Sequence, residues 1–173
     1  MGKGSARRVA WMGLLCALCI ALSFLESLIP LDGVLPPGVK PGLSNLVILY
    51  ALYYLNPAYA YGLALLKGGF AFLTRGAMAG LLSTGGGLSA ATVMLLFLLL
   101  PGRREKSPLL VSVAGGVVHN MAQLVLVRLL LRSAFALYYL PVLLFFGVVM
   151  GAVSALIFSR SAPYLERLDR SFR

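Results

Sequence analysis

Glu26, Lys67, Arg75, His119 and Arg128 stand within or at the ends of apolar runs long enough to cross a bilayer. A charge at that depth costs on the order of 2.5–3.5 kcal/mol by insertion scales unless it is paired or faces a polar cavity. These five residues are therefore either structural ion pairs or the lining of a binding site. The cations outnumber the anion, which favours a site for something negative. A second group lies in Gly115-Gly116-Val117-Val118-His119-Asn120-Met121-Ala122-Gln123. His119 and Gln123 are four apart and share one helical face, with Asn120 beside them. They form either an interhelical hydrogen-bond cluster, worth about 1 kcal/mol per bond, or a set of groups that orient a ligand. Arg128 lies further along the same run and need not share that face.

Other patterns suggest chemistry less strongly. Ser83-Thr84-Gly85-Gly86-Gly87-Leu88-Ser89 reads as a helix break lining a cavity, with a ligand contact at Gly86 or Ser89. A serine hydrolase dyad of Ser89 with His119 is the weaker reading, since Ala90 stands where a glycine would follow the nucleophile. Cys16 and Cys19 form a C-x-x-C, yet they lie deep in an apolar run with no further cysteine. Zinc lacks its other ligands, so small apolar filling is the better account. No aspartate-rich motif offers carboxylates for the magnesium of a prenyl diphosphate, and no Walker A motif occurs. The sequence calls for no metal and no cofactor, and the chain cannot hydrolyse ATP by itself.

These residues need elements to hold them, and composition names the class. Of 173 residues, 60% are hydrophobic and 12% charged, and mean hydropathy is +0.93. A soluble domain would carry about twice the charge. The expected fold is an all-α membrane protein, one integral domain of six spans. The spans read as 9–29, 43–55, 58–82, 88–100, 109–131 and 137–158. The run from Pro30 to Gly42 holds too many prolines and glycines for a helix. Ser44 and Asn45 cap the second span, and Asn56-Pro57 turns into the third. The glycine run ends the third span, and a charged tail from Arg160 to Arg173 closes the chain. A cleaved signal peptide is the alternative for the first span, but no small-x-small site precedes a polar start. The N-terminal pattern also misses myristoylation, because Ala6 stands where Ser or Thr is wanted.

The net charge of +10 raises nucleic acid as a partner. Its distribution argues for the lipid bilayer instead. Lys3, Arg7 and Arg8, then Arg103, Arg104 and Lys106, then the arginines of the tail all flank apolar segments. By the positive-inside rule both termini are cytoplasmic. Lys40 and Arg132 then face outward. Arg75 and Arg128 fall in the outer halves of their spans, and Lys67 and His119 near the middle. A polar pocket open to the outside accommodates them all. Gly13, Ala17 and Ala21 recur every four residues on the first span, a stripe that allows close approach of another helix, in this chain or in a partner.

Pro37-Gly38-Val39-Lys40-Pro41-Gly42-Leu43-Ser44-Asn45, the 83–89 run with Met94, the 115–123 run and Tyr138-Tyr139-Leu140-Pro141 together carry a resemblance that spans nearly the whole chain. The sequence resembles the family called heptaprenyl diphosphate synthase component I, or Gx transporters. That family is similar to the substrate-binding S components of energy-coupling factor (ECF) transporters, six-helix proteins that capture vitamins from outside. Their first helix carries an A-x-x-x-A stripe for docking on the transmembrane coupling subunit, and Ala17-Leu18-Cys19-Ile20-Ala21 matches it. The resemblance implies a non-enzymatic bacterial cell-membrane subunit, with a coupling subunit and ATPase subunits supplied by other chains. The expected ligand is a small anionic solute. Lys40, Lys67, Arg75 and Arg128 would supply positive charge, and Asn45, His119, Asn120 and Gln123 would fix its orientation. The family is also similar to a membrane partner found beside quinone-making enzymes in flavin-based electron transfer. The alternative is therefore a quinone- or flavin-linked redox component, or a subunit of a prenyl-quinone pathway.

Overall fold

The computed structural model describes residues 3–29, 39–100, 107–132 and 134–172, with side chains in 9–29, 39–100, 107–132 and 137–164. The proline-rich loop at 30–38 and the basic loop at 101–106 lie outside the described residues. So do the side chains of Lys3, Arg7, Arg8 and the tail arginines beyond Arg160. Among the described residues the fold is all-α, as expected. The helices are α1 Lys3–Leu28, α2 Asn45–Tyr54, α3 Pro57–Arg75, α4 Ala77–Leu99, α5 Pro108–Leu131 and α6 Leu140–Phe172. A 3-10 turn, Ala134–Tyr139, leads into α6. Four stretches are long and apolar enough to cross a membrane: Val9–Leu28, Ala77–Leu99, Pro108–Leu131 and Leu137–Tyr164. At 10 residues α2 is too short, and α3, which carries Lys67 and Arg75, is not among the four.

Helix starts follow their local signals. The Asn56 side chain accepts from the Ala58 amide at 3.0 Å, with Pro57 in the first turn. Ser107 and Pro108 open α5 in the same way. Both pairs satisfy a free first-turn amide and place proline where its missing N–H does no harm.

Two boundaries differ from the sequence reading. Residues 83–87 do not break a helix; they lie inside α4. Each glycine in a helix interior costs about 1 kcal/mol relative to alanine. A break in hydrocarbon would strand backbone donors and acceptors, which is worse. The break falls at Gly76, whose φ of +89° lies in the left-handed region. It follows Arg75 in the last turn of α3, the usual position for a terminating glycine. The third span therefore ends at Arg75 rather than residue 82, and the fourth starts at Ala77 rather than residue 88. The sixth span also runs on. The charged tail continues α6 as helix to Phe172, with Pro163 inside it.

Small residues set the packing. Gly147 and Gly151 of α6 meet Ser112, Gly116 and Val117 of α5 at backbone contact. A Cβ on Gly151 would stand 2.6 Å from Val113 Cα. On α3 the buried positions Ala60, Ala64, Gly68 and Ala71 form a seam against α4. In lipid, where apolar side chains gain little by leaving their solvent, close backbone approach of this kind is a main source of helix association. The short α2 runs through the centre, with Val47 to Leu52 all buried, and touches every other helix. α1 packs more sparsely, through Trp11, Leu15, Cys19, Ser23 and Glu26.

Candidate functional site

The first turn of α2 starts in the interior of the bundle, and a buried polar cluster forms around it. His119 marks the depth. It sits mid-way along α5, about 17 Å from either end at the helical rise of ~1.5 Å per residue. The segment leading into α2 dips between the helices to reach that level, with Val39, Pro41 and Gly42 buried. The Lys40 amide donates to Gln123 Oε1 at 3.3 Å. Gly42 has φ +95°, and a Cβ there would lie 2.9 Å from His119 Cδ2. Conformation and space both require glycine.

Three helices hold this entry. From α1, the Glu26 carboxylate accepts from the Leu43 amide and, at 3.1 Å, from Ser44 Oγ. It thereby caps the turn that opens α2, and the Asn45, Leu46 and Val47 amides that follow donate to the Gly42, Leu43 and Ser44 carbonyls. From α3, Lys67 Nζ donates to Asn45 Oδ1 at 3.0 Å. From α5, Gln123 Nε2 lies 2.8 Å from His119 Nε2. Gly86 of α4 lies against the other edge of the imidazole, where a Cβ would come within 2.7 Å of Nδ1. Glu26, Asn45, Lys67, His119 and Gln123 are each 3% exposed or less. Asn45 Nδ2, His119 Nδ1, Ser83 Oγ and Arg75 Nη1 are buried without a hydrogen-bond partner. Buried polar atoms are seldom left so, and Asn45 Nδ2 and His119 Nδ1 belong to this cluster.

Asn45, Lys67, Gly86, His119 and Gln123 are thus brought together, and Lys40 joins through its backbone. Gly86 takes part by its lack of a side chain. The expected turn at 85–87, with backbone amides free for a ligand, does not exist. Asn120 points to α6, where Nδ2 donates to Leu143 O at 2.8 Å. Ser89 is half-buried, and His119 pairs with Gln123, so no serine–histidine dyad forms. Arg75 is half-buried at the end of α3. Arg128 is exposed on α5, beside exposed Val125 and Leu129 and about half a turn from the His119 face. Sequence reasoning treated Glu26 as a lone anion and missed its role as a cap. Ser44 and Asn45 did mark the helix start that it caps.

Cys16 and Cys19 are free thiols, and Cys19 packs in the core. Among the described residues no three His, Cys, Asp or Glu side chains gather as metal ligands would. Gly13, Ala17 and Ala21 are exposed, on the side of α1 opposite Trp11, Leu15 and Cys19. Nothing lies within 4 Å of a Cβ built at Gly13, so the stripe is not a packing seam among the described residues.

Residues 15–160 match the model of the family described as heptaprenyl diphosphate synthase component I. No curated protein and no solved structure matches the chain.

Proposed function

The chain belongs to the heptaprenyl diphosphate synthase component I family, and from that premise we propose that it is a solute-binding membrane subunit of the S-component kind. It captures a small anionic, vitamin- or cofactor-like molecule from outside a bacterial cell. It is non-catalytic, and both termini face the cytoplasm. One observation carries this reading: a buried cluster of donors at half depth around the start of a half-length helix. Lys67, Asn45, His119 and Gln123 offer ammonium, amide and imidazole groups, against the single carboxylate of Glu26. Half-helices whose positive ends face a mid-membrane site are a recurrent way to hold anionic solutes.

Uptake then needs a transmembrane coupling subunit and ATPases from other chains. The exposed Gly13/Ala17/Ala21 face is where the coupling subunit docks. The family description names a prenyl diphosphate synthase component, which favours a second reading, a membrane component of a prenyl-quinone pathway or of a quinone- or flavin-linked redox system that such a pathway serves. Mass spectrometry of small molecules that co-purify with the protein separates the two. A vitamin- or cofactor-like anion is the expected finding. A bound quinone or a covalent flavin would overturn the transport reading.

A further inference from the structure

We infer that the start of α2 is an anion subsite which Glu26 fills in this structure, and that a carboxylate or phosphate group of the solute takes its place there. The inference rests on the reading of the chain as a solute-binding subunit and says which chemical group that solute must carry. The subsite is defined by what already holds a carboxylate: the Leu43 amide and Ser44 Oγ, at the positive end of a ten-residue helix. A second observation points to a ligand. Asn45, 3% exposed, gives its Oδ1 to Lys67. Its Nδ2 must then point the other way. That Nδ2 has no partner, and it lies 2.8 Å from where a Gly42 Cβ would be, so it faces the same turn. The subsite therefore has one more donor than Glu26 uses.

Displacement also leaves Glu26 somewhere to go. Arg75 closes α3 with a guanidinium whose Nη1 is buried without a partner. A bound anion at α2 and a Glu26–Arg75 pair would together satisfy groups that Glu26 alone cannot. Glu26 is then an internal competitor. It balances one of the two nearby cations, Lys67 and Arg75, and a solute without negative charge cannot take over that role.

The test is thermal unfolding of the full chain in detergent, titrated with sodium phosphate and with sodium acetate at constant ionic strength, chloride being the control. Phosphate or acetate should stabilise the wild type. Glu26→Gln, which still caps α2 with a neutral oxygen, should lower the half-saturating concentration at least tenfold. Glu26→Asp, one methylene shorter, should move it the same way by less, and it serves if the glutamine variant does not fold. An unchanged or higher midpoint in both variants overturns the inference, as does a lack of stabilisation by either anion in wild type and variants alike. Stabilisation by added phosphatidylglycerol but not by free anions overturns it too, because the displacing group would then come from the bilayer. A co-purifying anionic solute together with an unmoved midpoint removes this inference alone. A co-purifying quinone removes the transport reading beneath it.

Discussion

At the residue scale, Gly42 and Gly86 hold His119 between them, and each does so by having no side chain. A Cβ on Gly86 would meet the imidazole at 2.7 Å, whereas one on Gly69 would meet nothing within 4 Å. Gly86→Ala should therefore lower the melting temperature, consistent with an overpacking cost of about 1–3 kcal/mol. Gly69→Ala should leave it unchanged or raise it slightly, because alanine suits a helix better. Thermal unfolding of the two variants in one detergent checks the contrast. Equal melting temperatures would mean that His119 is not clamped. The His119–Gln123 pair was legible in the sequence, since residues four apart on a helix meet. Lys67 was legible as a buried cation. The cap on α2 was not, because Glu26 bonds a backbone amide and backbone amides have no residue type. Arg128 lies on the exposed side of α5, which the sequence left open, because a charge in an apolar run says nothing about which way it faces.

At the element scale, the number and order of helices could be read from hydropathy, and the interruptions could not. Three glycines in a row read as a break, yet in a membrane they mark close packing. The single glycine after Arg75 is the break. The same physics makes the α5–α6 contact sensitive. Gly151 faces the Val113 backbone, which cannot move aside as a side chain can. Gly151→Leu should sharply reduce the yield of folded protein in detergent; normal yield and melting would mean that the helices cross elsewhere. The α1 stripe should behave in the opposite way. Ala17 and Ala21 are exposed, so Ala17→Leu with Ala21→Trp should leave folding and solute content intact and abolish co-purification with a coupling subunit. Retained association in that double variant would move the docking face off α1.

At the scale of the whole molecule, four long apolar helices and a buried polar cluster midway along α5 describe a membrane-type helical bundle. The orientation is testable at Ser107, exposed at the start of α5. In Ser107→Cys, membrane-impermeant thiol reagents should label the residue in inside-out vesicles and not in intact cells; labelling from outside intact cells would invert the topology. The central claim is that the buried cluster around α2, and not the cations at large, is what binds. It is tested most directly by quantifying the solute that co-purifies with wild type, Lys67→Ala and Arg128→Ala at equal amounts of folded protein. Lys67→Ala should lose about four-fifths or more of the wild-type solute, equivalent to about 1.4 kcal/mol of binding for a site near half saturation, and Arg128→Ala should keep it. Undiminished solute in Lys67→Ala, with loss in Arg128→Ala, would contradict the account and move the site to the exposed face of α5.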